Sequence, residues 1–115
     1  MIYRKKFNVF AKILRGEIPS NRIFENDYVI SIFDINPKAA THALVITKNA
    51  YTDFNDFMDN ADKEEITEVL AAIKSVAQQL DLIDAGYRVI TNVGKGSGQE
   101  VPHLHFHILS NKKAS

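Results

Sequence analysis

The spacing of apolar positions changes along this chain, and each change marks an element. Ile66, Val69, Leu70, Ile73, Val76, Ala77 and Leu80 recur every three or four residues, which places them on one face of an α-helix. Asp62 with Glu65 three residues later resembles a capping box, with Asp in place of the usual Ser or Thr. Glu64 and Glu65 also put negative charge in the positive first turn. The pattern predicts a long helix with one apolar stripe against a sheet. Nearer the N-terminus, Phe10, Ile13 and Leu14 fall at helical spacing within residues 7–14, and Gly16 offers a stop. Pro19 blocks continuation, so this helix is short.

The strands show a different rhythm. Residues 22–25 and 28–33 are β-prone runs separated by Asn26 and Asp27, which predicts a hairpin. Pro37 ends the second run, and residues 42–47, nearly all apolar after His42, predict a central third strand. Residues 49–60, rich in Asp, Asn and aromatics, predict a loop with room for one helical turn. A fourth strand is predicted at residues 87–93 and a fifth at 101–109. About five strands with one long and one short helix give an α+β domain with a mostly antiparallel sheet. No internal repeat or low-complexity segment interrupts it.

The fifth run, Val101-Pro102-His103-Leu104-His105-Phe106-His107-Ile108-Leu109, holds three of the four histidines of the chain at alternate positions. On a strand the three imidazoles share one face, while Leu104, Phe106 and Ile108 share the other. A solvated polar face is the bland alternative, but Ser, Thr, Lys or Glu would serve there equally well. Imidazole is chosen for proton, metal or phosphate work.

Composition narrows the partners. At 115 residues the chain is expected to be a single domain spanning 1–115, and 45% hydrophobic with 24% charged residues excludes a disordered chain. Fourteen basic residues balance fourteen acidic ones, so no global field draws it to nucleic acid or an anionic membrane. Any anionic ligand must be held by local groups. The absence of cysteine excludes disulfides and thiolate zinc sites and fits a reducing compartment. The basic start lacks the apolar run of a secretory signal, and no stretch is apolar enough to span a bilayer, so a cytoplasmic protein is expected.

Two chemistries suit the histidines. For zinc, His103 and His107 would lie roughly 13 Å apart along an extended strand, whereas ligands at about 2.0–2.1 Å from one ion nearly touch. Two of the three, joined by His42 from a neighbouring strand, remain a possible set. Phosphate chemistry needs no such convergence, because one neutral imidazole attacks phosphorus while its neighbours orient or donate to the oxygens. The turn Gly94-Lys95-Gly96-Ser97-Gly98 lacks the leading Gly and the following helix of a P-loop. It is left as a glycine-rich turn whose backbone N–H groups are expected to approach a phosphate.

The run His103-Leu104-His105-Phe106-His107-Ile108-Leu109 is similar to the His-φ-His-φ-His-φ-φ signature, with φ apolar, of the histidine triad (HIT) family of nucleotide hydrolases and transferases. Residues 10–19, Phe33-Asp34-Ile35, residues 41–46, Asn92 and Gly98-Gln99 resemble further family segments. Among branches the chain looks most like the small Hint-type proteins, with bacterial features. That likeness implies the HIT fold, a homodimer, a purine nucleotide ligand, no cofactor or metal, and hydrolysis of nucleoside phosphoramidates or related adenylates. By the same likeness His105 is the nucleophile, His103 and His107 hold its tautomer and the phosphate oxygens, and His42 braces the cluster. Asp34 is implied for the ribose hydroxyls, Asn92, Gln99 and Val101 for ligand contacts, and Val9, Phe10, Ile13, Ile32, Phe33 and Ile35 for the base pocket. Glu100 stands where eukaryotic relatives carry a Ser thought to help protonate the leaving group. The chain ends at Ser115, eight residues past His107, where many relatives extend a tail toward the partner's site. Dinucleoside polyphosphate hydrolysis, or a nucleotide- or zinc-binding module with little turnover, are the alternatives.

Overall fold

The computed structural model describes residues 8–18 and 20–113. The expectations resting on Phe7, on Pro19, on the basic N-terminal residues and on Ser115 lie outside them. Within the described residues the chain forms α1 (Val9–Leu14), β1 (Arg22–Glu25), β2 (Val29–Phe33), β3 (Thr41–Thr47), α2 (Phe54–Asn60), α3 (Lys63–Gln79), β4 (Arg88–Ile90) and β5 (His105–Ser110). A 3-10 turn at Lys95–Ser97 lies between the last two strands. The sheet order is β1-β2-β3-β5-β4, with every neighbouring pair antiparallel. This is the expected α+β architecture with one more helix.

The extra helix, α2, arises from local capping within residues 49–60. The Asp53 side chain accepts from the Asp56 amide at 2.9 Å, and Phe57 anchors the helix in the core with no exposed surface. Its single buried contact is too few for a period to show. In α3, Asp62 accepts from the Glu65 amide at 2.8 Å, the forward half of a capping box. The return half is missing, because the Glu65 carboxylate turns to Tyr51 and Asn49 instead.

Both last strands are shorter than their hydrophobic runs. Pro102 has no N–H for a ladder, and the Leu104 amide donates to the Tyr51 carbonyl at 2.7 Å. Residues 101–104 therefore bend over the end of the sheet, and β5 starts only at His105. On β4, pairing stops at Ile90, and the next residue, Thr91, donates its hydroxyl to the His105 carbonyl at 2.7 Å.

Alternation gives the sheet two faces. On the back, Val29, Val45 and Ile108 pack with Val69, Val76 and Ala77 of α3 and with Phe57. Each such fully buried aliphatic side chain contributes about 1.5–3 kcal/mol. On the front, Ile30, Ile32, Leu44 and Ile46 pack against Phe10 and Ile13 of α1. The register sets Ile32, Leu44, His107 and Ile90 in one row across four strands. The next row runs through His42, Leu109 and Arg88. Among the described residues no helix is long and apolar enough to cross a membrane.

Candidate active site

The front rows open into a cavity of about 600 Å³, whose floor carries His42, His105 and His107. Asp34, Ile35, Asn92, Gln99 and Val101 line it as well, together with Val9 and Phe10 of α1. His103, Ile13, Ile32 and Phe33 do not. Ile13 and Ile32 are buried beneath Phe10 in the small front core. Phe33 pairs with Ala43, one residue out of step with the histidine face, so alternation turns it to the opposite side, where it is 43% exposed.

Backbone groups settle which ring nitrogens carry protons. The Lys38 amide donates to His42 Nδ1 at 3.0 Å, so the proton of neutral His42 sits on Nε2. From there it is donated to His107 Nδ1 at 2.8 Å, which leaves His107 with its proton on Nε2. Asp34 Oδ2 lies 3.5 Å from His42 Nε2. His105 Nδ1 lies 2.7 Å from the His103 carbonyl, which can only accept, so Nδ1 carries the proton and Nε2 keeps a bare lone pair. Phe10 packs edge-on against the His105 ring at 4.7 Å and limits its rotation.

His103 has a different task. Its Nε2 donates to the Thr47 carbonyl at 2.7 Å, and its Nδ1 accepts from Asn8 Nδ2 at 3.2 Å. Both nitrogens are occupied and the ring is buried. Of the two roles expected of His103, holding the His105 tautomer falls to its main-chain carbonyl, and its imidazole, which does not line the cavity, has no part at the phosphate. Asn8 serves twice, since its Oδ1 also caps α1 through the Ala11 amide at 2.7 Å.

Burial disfavours the charged form of all four imidazoles. Burial pushes His42, His103 and His105 below the ordinary histidine value. His107 is lowered to about 4, first by burial and then by the neighbouring His105 and His42, against the opposing pull of Asp34.

Asp34, His42 and His107 do offer three ligand atoms within 4.8 Å of one another. Ligation through His42 Nε2 would move its proton to Nδ1, directly against the Lys38 amide. The trio is wired as a hydrogen-bond relay and fits a metal ion poorly.

The glycine-rich turn differs from expectation in one respect. Gly94 and Gly98 adopt φ of 77° and 86°, a region that disfavours side chains. The amides of Gly94, Ser97, Gly98 and Gln99 all bond within the turn or to the Gln99 side chain. These amides shape a wall and are not turned to a ligand. Sequence reasoning also missed Leu44, Ile90, Leu109 and Arg88, which join the cavity through strand register. Lys38 was missed too, because its contribution to His42 is a main-chain N–H that no residue type announces. Asn8 left a readable sign, an Asn at the start of a helical run.

A family model described as HIT domain matches residues 15–114. A HIT-like protein of Helicobacter pylori is 49% identical over 106 residues, covering 92% of this chain and 98% of that one. The purine nucleoside phosphoramidase of Escherichia coli is 35% identical over 105 residues, covering 90% of this chain and 87% of the relative. A solved HIT family hydrolase from Clostridium thermocellum superposes with a TM-score of 0.81 at 36% identity, covering 91% of this chain and 90% of that one.

Proposed function

The chain belongs to the HIT family, by the family match over most of its length and by identity with relatives over nine-tenths of it, and from that premise we propose that it hydrolyses nucleoside phosphoramidates and related purine adenylates through a nucleotidyl-histidine intermediate. The observation that carries this reading is the bare Nε2 lone pair of His105, fixed at the cavity by the bond from its Nδ1–H to the His103 carbonyl. Nε2 attacks the α-phosphorus and forms a phosphorus–nitrogen bond, while the bond to the leaving amine breaks and the amine departs with a proton taken from solvent. Water then displaces His105 and yields the nucleoside monophosphate. His107 Nε2–H, oriented by His42, donates to the phosphate oxygens as charge builds on them.

The walls suit the rest of the ligand. Asp34 accepts from the ribose hydroxyls and Asn92 faces the phosphate side, while Gln99, whose side-chain amide is taken by the Gly94 amide and the Thr52 and Val101 carbonyls, shapes the wall. Val9, Phe10, Val101 and Ile35 offer apolar surface to a purine, and Ile35, 91% exposed, gains most from being covered. Support for an amine leaving group comes from the Escherichia coli phosphoramidase.

Adenosine phosphoramidate and a diadenosine polyphosphate, each assayed with and without chelator, test the proposal. Turnover of the phosphoramidate that is faster and indifferent to chelation is expected. Cleavage of the polyphosphate alone would move the assignment to that substrate class, and loss on chelation would defeat the metal-free mechanism. We also propose a homodimer, since Leu70, Ile83 and Val89, the last on edge strand β4, remain about half exposed. Light scattering at micromolar concentration should give twice the chain mass, and a monomer mass counts against it.

A further inference from the structure

Glu65 sits on α3, on the opposite side of the sheet from the cavity, yet it is a buried carboxylate. Burying a charge is costly unless hydrogen bonds offset it. Oε1 accepts from the Tyr51 hydroxyl at 2.6 Å and Oε2 from Asn49 Nδ2 at 2.8 Å. Helix capping does not need this side chain, because Asp62 already caps α3.

The segment it grips, residues 47–52, presents three carbonyls to the chain that frames the active site. Thr47 O receives His103 Nε2–H at 2.7 Å, Tyr51 O receives the Leu104 amide at 2.7 Å, and Thr52 O receives Gln99 Nε2 at 2.8 Å. The next links reach the chemistry. The His103 carbonyl accepts from His105 Nδ1, and Gln99 Oε1 accepts from the Gly94 amide at 2.8 Å.

We infer that Glu65 is a positioning residue for the reaction proposed above: it clamps residues 47–52, whose carbonyls fix the His103–His105 backbone and so aim the His105 Nε2 lone pair. The inference rests on that functional reading for its kinetic consequence but not for its structural one. Tyr51 stays a donor across the working range, its hydroxyl pushed up to about 12 by burial and by Glu65.

The test compares Glu65→Ala, Glu65→Gln and Tyr51→Phe. Steady-state kinetics on adenosine phosphoramidate give kcat and KM, and imidazole 1H–15N spectra of substrate-free protein report the His105 Nδ1–H bond. A misaimed nucleophile should cost about ten- to a hundredfold in kcat, with KM little changed and the His105 signal shifted or broadened in Glu65→Ala. Tyr51→Phe should show a smaller loss of the same kind, and Glu65→Gln, which keeps an acceptor for the Tyr51 hydroxyl, should recover most of it. A folded Glu65→Ala protein with wild-type kcat and an unaltered His105 spectrum would overturn the inference. If Glu65→Ala does not fold, Tyr51→Phe decides, since its ring can keep the packing that Tyr51 has on Phe57 at 5.2 Å. A wild-type protein that does not turn over the phosphoramidate defeats the functional reading, while the spectra still decide the clamp.

Discussion

The back and front of the sheet are made from alternate residues of the same strands, yet one is closed and the other open. Seventeen residues of α3 cover the back, where Val29, Val45, Phe106 and Ile108 meet a continuous apolar stripe. Among the described residues the front, over Ile30, Ile32 and Ile46, is covered by the six residues of α1 with Ile18 and Val101 beside them. The rows beyond them are left as the floor of the cavity. On β5 the division runs through a single strand: Phe106 and Ile108 anchor the back while His105 and His107 stand in front. A rigid strand so anchored can hold an imidazole with little freedom, which is what a positioned nucleophile requires.

One substitution on each face should separate their tasks. His105→Ala removes the attacking nitrogen, so turnover should fall by about three orders of magnitude or more while nucleotide binding persists. Mixing the parent protein with a reactive substrate, quenching in denaturant and mapping the added mass should place a nucleotidyl group on the peptide holding His105. Full activity in His105→Ala would remove the mechanism. Phe57→Ala on the back should do the reverse, lowering stability by about 3–5 kcal/mol with kcat close to the parent value below the unfolding transition. Denaturant titration checks it, and a large kcat loss with unchanged stability would contradict the division of faces.

The back face was the more legible of the two. Residues 66–80 carry a helical period, and it appears as the α3 stripe, except that Leu70 is half exposed and Glu65 is buried. Period alone cannot show that a carboxylate will find Tyr51 and Asn49 fifteen or so residues earlier. The front yielded its titratable residues but not their roles. Alternation in residues 103–107 drew attention to three histidines, yet the strand begins only at His105, and Pro102 with the Leu104–Tyr51 bond turns His103 into the interior. Phe33 was misplaced for a related reason, since a one-residue difference in register decides which face a side chain joins. Lys38 and Thr47 act through main-chain groups, which composition does not encode.

Protonation gives a smaller and sharper contrast between the faces, because the imidazoles of the cavity, His42, His105 and His107, all stand on the front. Burial is the main cause of the lowered His105 value, opposed by its bond to the His103 carbonyl and by Asp34. Imidazolium cannot attack phosphorus, so the acid limb of kcat/KM, which reports the free enzyme, should lie below about pH 6.5, the value of an unperturbed ring. Stability follows with a defined sign. His107 has a folded value near 4, below that of the unfolded chain, so the unfolded chain binds more protons between the two. Its contribution is complete above about pH 6.5 and is lost as pH falls toward 4. Asp34 raises the values of His42, His105 and His107. Asp34→Asn should therefore shift the acid limb of kcat/KM further toward acid, whatever it does to the height of the profile through the ribose. Rate profiles of both proteins and urea midpoints from pH 4 to 8 make the measurement. An acid limb at or above pH 6.5 would show that burial does not set the state of the nucleophile, and one that moves upward in Asp34→Asn would overturn the part given to Asp34.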